Sequence, residues 1–193
     1  MPPILALFLC SLFVAALLGV DFRRSGGWSL SSWIPTLWLL YCASKPFPYW
    51  LGSSQVSEDM SLITGSPIDR TFLAILIFVG LFILAGRTVE WKQIIKDNYW
   101  LIILFLYMLI SIIWSDYPFV SLKRWIKASG TIIMGFVILT CPLPFREIES
   151  VLRRSIYILI PFSALLVKYY PRLGIAWGRY SGAPSWIGVT TSK

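Results

Sequence analysis

The chain has 193 residues, 57% of them hydrophobic and only 13% charged, with a mean hydropathy of +0.73; a soluble domain carries about 25% charged residues, so the composition points to an integral membrane protein with no room for a separate soluble domain. Seventeen basic residues stand against nine acidic ones, a net charge of +8, and the basic residues are scattered between apolar runs rather than gathered in one patch, which argues against nucleic acid as a partner. Histidine is absent, and Cys10, Cys42 and Cys141 are far apart with no CxxC pair, so no metal site, disulfide frame or cofactor is signalled and the cysteines read as buried small hydrophobes.

Taken in chain order, six apolar stretches stand out: 3–20, 30–43, 72–85, 99–114, 128–140 and 155–167. They predict an all-α, polytopic membrane bundle, a single domain over 1–193, with about six transmembrane helices, or five if 30–43 does not span. That stretch is short and contains Pro35, so it reads as a kinked span or a re-entrant hairpin. Several others need flanking Trp, Tyr and small residues to reach across a bilayer. The first stretch, opening "MPPILALFLC", has no basic side chain before its apolar core, while Arg23 and Arg24 follow it. This is not the pattern of a secretory signal, and it favours an N-terminus outside with the two arginines in the cytoplasm.

The polar segments place the helix ends. In "GSPIDR", Ser66 is suited to cap a helix with Pro67 at its first position and Asp69 near the positive end of its dipole. The connection 44–71 is the longest, kept irregular by Pro46, Pro48, Gly52 and Gly65. Asp116 is a fair cap for a helix entered at Pro118. Glu149 and Arg153 stand four apart, as on a short surface helix leading into the last stretch.

With six spans, the basic residues divide nine to eight between the two sides, which is no positive-inside bias. Either the span count is wrong or some outer-face basic residues do more than orient the chain. In both cases "WSDYPFVSLKRW" (114–125) and the tail share a side, because two crossings separate them. In the first segment Lys123 and Lys127 fall one turn apart with Arg124 beside them, either an anchored juxtamembrane helix or a cationic shelf for an anionic ligand. The tail from Lys168 to Lys193 has four basic residues, no acid, and aromatic residues that include Trp177, Tyr180 and Trp186. Those aromatics suit either an interfacial belt or a ligand site in which arginine takes phosphate and flat rings stack on sugar or apolar faces. No acidic pair is placed for glycosidase chemistry, Glu58–Asp59 reading as a solvated loop pair, there is no P-loop or GxGxxG, and a serine nucleophile has no His partner, although Ser–Lys chemistry stays open. The apolar spans hold almost no charge, so no ion relay is visible.

"SIIWSDYPFVSLKRW" (111–125), followed by "LLVKYYPRLG" (165–174) and "WGRYSGAPSWIGVTTSK" (177–193), resembles the bacterial O-antigen ligase and exopolysaccharide polymerase family. Its members show a W-S-x-x-P-x-x-S-x-x-R type segment and, after a further pair of helices, an R/W-x-x-G…G-x-T-x-x-K/H-N-x-L-G type segment. The likeness covers 72–193 and is specific in the two loops.

The resemblance implies a polytopic enzyme of the bacterial inner membrane. It would move a glycan from an undecaprenyl pyrophosphate carrier to an acceptor on the outer face, without metal or nucleotide. By match to the second motif, Arg179 is the candidate for pyrophosphate contact and Lys193 holds the K/H position. Lys123 and Arg124 match the basic end of the first motif, and Trp177, Tyr180 and Trp186 are candidates to contact the substrate. The partners implied are the lipid bilayer, the lipid-linked glycan and other polysaccharide-assembly proteins of the envelope. Family members usually have about twice as many helices, their second motif continues with Asn-x-Leu-Gly, and ligases bear an important His in a later loop. The expectation is therefore an N-terminal half, inactive alone. The alternative is a non-catalytic scaffold or transporter fragment of an envelope polysaccharide system.

Overall fold

The computed structural model describes residues 2–24, 30–50, 66–88, 91–177 and 182–190. Their helices, in order, are α1 (Pro3–Arg24), α2 (Leu30–Ala43), the single turn α3 (Phe47–Trp50), α4 (Pro67–Ala85), α5 (Trp91–Asp97) and α6 (Tyr99–Ile110). A 3₁₀ turn at Ser111–Trp114 then leads to α7 (Pro118–Leu139), α8 (Pro144–Tyr169) and the single turn α9 (Pro171–Gly174). Two three-residue antiparallel strands follow, β1 (Ile175–Trp177) and β2 (Pro184–Trp186), in a chain whose described residues are otherwise mostly helical, consistent with the all-α expectation.

Proline opens α4, α7, α8 and α9, where its missing N–H would be unpaired in any case. Ser66 caps α4 as expected: its Oγ accepts from the Asp69 amide at 3.0 Å and donates to Asp69 Oδ2 at 2.7 Å. At α7 the expectation for Asp116 fails. The flanking residue there is Tyr117, with no side-chain cap bond. Ser115 Oγ takes the Tyr117 amide at 3.3 Å and pairs with Ser121 Oγ at 2.7 Å, so Ser115 and not Asp116 supplies the side-chain bonds at this helix start.

Each apolar stretch is helical, and three helices extend well beyond theirs. α8 absorbs 144–154, so Glu149 and Arg153, bonded at 2.9 Å, lie on its first turns rather than on a separate surface helix. The second stretch is one continuous helix through Pro35, not a hairpin. By length and apolarity three helices, Pro3–Arg23, Pro67–Ala85 and Pro144–Tyr169, can cross a membrane. A fourth candidate is the pair α5 and 99–114, which is bent by 82° at its break. α2 has only 14 residues, about 21 Å of rise. α7 has 22 residues, but Lys123, Arg124 and Lys127 interrupt its first half.

α2 lies at the centre of the packing. Ile34 and Trp38 of α2 bury against Leu76 of α4 and Met134 of α7. The approach of α2 to α7 depends on Gly130: a Cβ there would sit 2.1 Å from the Trp38 ring, so no other residue fits without moving the indole. Trp38 Nε1 donates to Thr131 Oγ1 at 3.3 Å beside that contact. α6 has no buried residue, and its attachment includes a bond from Trp125 Nε1 to the Phe105 carbonyl at 3.2 Å. Of the cysteines, Cys141 is buried, Cys10 half-buried and Cys42 exposed, which corrects the expectation for Cys42.

Candidate functional site

Side-chain contacts sort the bundle into two ends. At one, Lys127 Nζ of α7 sits 5.8 Å above the Tyr41 ring of α2, which also packs on Phe47 and Phe72. Asp69, at the start of α4, accepts from the Phe47 amide at 3.1 Å. Four residues after Tyr41, Lys45 meets the tail. Its Nζ donates to the Leu173 carbonyl, its amide donates to the Val189 carbonyl at 3.1 Å, and its ammonium lies 4.7 Å from the Tyr49 ring. Lys45 is 3% exposed, so its charge is held among carbonyl dipoles and an aromatic face rather than in water.

The tail folds back onto α8 at two glycines. A Cβ on Gly174 would lie 2.5 Å from the Leu166 carbonyl carbon, a clash with backbone that no rotamer relieves. Gly188 has φ +57°, and a Cβ there would meet Ser163 Cβ at 2.6 Å. Between them the Ile187 and Gly188 amides donate to the Gly174 carbonyl at 2.9 and 3.0 Å, and the Val189 amide donates to Ser163 Oγ at 3.3 Å. The residues 174–177 and 184–189 are thus fixed to the bundle. In β1 and β2, Ile175 pairs with Trp186 and Trp177 with Pro184, so Trp177 and Trp186 stand diagonally on one face. They are 70% and 80% exposed, flat surfaces available to a ligand or to the lipid interface.

The sequence-derived candidates therefore fall into three groups. Trp177 and Trp186 are on this face. Lys123 and Arg124 project from the early turns of α7 with exposed side chains, while their neighbour Lys127 makes the contact with α2. Arg179, Tyr180 and Lys193 lie outside the described residues. The residue that sequence reading missed is Lys45, which joins α2 to the tail. Its signal was a lone cation directly after an apolar run and before Pro46.

The opposite end holds a second charged group. Asp21 of α1 is 2% exposed and accepts from Arg154 Nε at 2.6 Å and Arg153 Nε at 2.7 Å. Arg154 also donates to Ser32 Oγ at 2.6 Å and lies 4.9 Å from the Trp33 ring, and Arg153 reaches Glu149 at 2.9 Å. Two carboxylates balance two guanidiniums, so this is a closed network joining α1, α2 and α8 rather than an open anion site. Arg87, at the end of α4, donates to the Val137 carbonyl at 2.8 Å and Thr140 Oγ1 at 2.6 Å, satisfying the last turn of α7. The expectation of almost charge-free spans holds for the middle of the helices and not for this end. Comparison of the chain with protein-family models, with curated proteins and with solved structures finds no match.

Proposed function

We propose that the chain forms part of a membrane glycan ligase or polymerase, with six helices crossing the bacterial inner membrane and the Lys45–tail end facing outward. The observation that supports this most is the placement of the two motif-bearing segments: the early turns of α7 and the tail meet α2 within four residues of each other, at Tyr41 and Lys45. The end so formed carries cations from 45, 123, 124, 127, 168 and 172, and exposed indoles at 177 and 186. A pyrophosphate suits such a surface, since guanidinium and ammonium groups stabilise the charge that grows on it as the sugar departs. In that reaction the bond from the sugar's anomeric carbon to the pyrophosphate oxygen breaks. A bond to an acceptor hydroxyl oxygen forms, the hydroxyl proton leaves, and the pyrophosphate stays on its lipid. Arg179 and Lys193 take the pyrophosphate in this reading, Lys123 and Arg124 extend the cationic surface, and Trp177, Tyr180 and Trp186 contact the saccharide or the prenyl chain.

Binding of a short-chain polyprenyl pyrophosphate to the detergent-purified protein tests the proposal. Arg179→Ala is expected to weaken binding about ten- to a hundredfold, the range for a lost hydrogen bond to a charged group. Arg146→Ala, at the other end of the bundle, is expected to leave it unchanged. No binding by the parent chain would favour the scaffold alternative, and equal losses in both variants would remove the site from the tail.

A further inference from the structure

The outer face of α8 carries two grooves that border the proposed glycan surface and share Trp186 and Lys168 with it. One, of about 540 Å³, runs between Leu159, Ile160 and Val167 of α8 and Trp186 and Ile187 of the tail. The other, of about 300 Å³, runs between Ala6 and Leu9 of α1 and Pro161 and Leu165 of α8. Ala164 borders both, so a single small, exposed side chain separates two apolar channels. One turn further along α8, Lys168 and Tyr169 close the second channel, and Trp186 stands at the first. Ammonium and phenol at the end of one apolar channel and an indole beside the other match the parts of a lipid: headgroup, interface, chains.

The charge around the grooves has one sign. No Asp or Glu occurs after Glu149, and none precedes Asp21. Both of those acids belong to the closed network at the opposite end. Of the acids at this end among the described residues, Asp69 is engaged by Ser66 and the Phe47 amide, and Asp116 precedes α7, no residue of which lines either channel. What remains beside the channels is Lys168, with Arg172 one turn beyond it, and both are exposed.

We propose that this face binds a two-chain anionic phospholipid, with one acyl chain on each side of Ala164 and the phosphate at Lys168 and Arg172. The site joins α1, α8 and the tail hairpin, so an occupied site holds the tail against the bundle. Two channels fit a diacyl lipid better than a polyprenyl chain, which would fill one. The site shares Trp186, Lys168 and Arg172 with the proposed glycan surface but not Arg179 or Lys193, so loss of phospholipid binding and loss of pyrophosphate binding are separable by Arg179→Ala.

Native mass spectrometry of the full chain in detergent, titrated with phosphatidylglycerol or with phosphatidylcholine of the same acyl chains, tests it. The expected result is preferential retention of phosphatidylglycerol. Lys168→Gln is expected to weaken that retention about fivefold, the worth of one cation near a lipid phosphate. Ala164→Trp, which fills both channels from an exposed position, is expected to abolish it, while Arg146→Gln leaves it intact. Equal retention of phosphatidylcholine, or retention of phosphatidylglycerol that survives both Lys168→Gln and Ala164→Trp, would overturn the proposal. So would one-for-one displacement of phosphatidylglycerol by polyprenyl phosphate, since the grooves would then hold a single chain.

Discussion

Asp21→Ala is expected to destabilise the protein by about 3–5 kcal/mol, the cost of breaking a buried ion pair from one side. The carboxylate is the shared acceptor of Arg153 and Arg154, and both Asp21 and Arg154 are almost fully enclosed. Removing it leaves Arg154 with Ser32 and the Trp33 ring and, among the described residues, no compensating anion. Arg153 keeps Glu149 and is partly solvated, so Arg154 dominates the penalty. Adding Arg154→Met to Asp21→Ala is therefore expected to restore part of the loss, since an apolar side chain of similar length needs no anion. Thermal or denaturant unfolding of the solubilised protein measures both. An Asp21→Ala effect within about 0.5 kcal/mol, the scatter of surface substitutions, would mean that the network does not hold α1.

The second large effect is expected at Gly188. Its φ of +57° costs a residue with a Cβ about 1–2 kcal/mol, and the Cβ would in addition meet Ser163 at 2.6 Å. Gly188→Val should release the tail from α8. Val189, buried in the parent, is the reporter: in a background without native cysteines, Val189→Cys is expected to label slowly, and about tenfold faster once Gly188→Val is added. Gly182 is the control. It has φ +62° but open space where a Cβ would stand, so Gly182→Ala carries only the backbone cost and should change labelling less. Equal acceleration by both variants would show that backbone strain, and not packing on Ser163, governs tail docking.

These two sites show what could and could not be seen in the sequence. Helix existence was legible because each apolar run is long enough to bury or to meet lipid, and the start of α4 was legible because Ser66, Pro67 and Asp69 act locally. The start of α7 misled, because Asp116 competes with Ser115 and only the fold shows which oxygen faces the Tyr117 amide. That 30–43 forms one helix through Pro35 depends on tertiary packing around Trp38, which overrides the local penalty for proline. The Asp21–Arg154 bond joins residues 133 positions apart, so neither neighbourhood advertises it. Lys45 is similar: its partners, Leu173 and Val189, are more than a hundred residues away, and in the sequence it looks like any loop lysine. The early turns of α7 and the tail reach the same end of α2, at Tyr41 and Lys45, which is the arrangement that a shared side would require.

The central claim is that the early turns of α7 and the tail form one outward-facing end, opposite the end that carries Arg146. Cells expressing Asp116→Cys, Ser185→Cys or Arg146→Cys, each in a cysteine-free background, would be treated with a membrane-impermeant thiol reagent before and after permeabilisation. The expected pattern is labelling of Asp116→Cys and Ser185→Cys on intact cells, and of Arg146→Cys only after permeabilisation. Asp116→Cys and Ser185→Cys on opposite sides of the membrane, or both reactive only after permeabilisation, would contradict it.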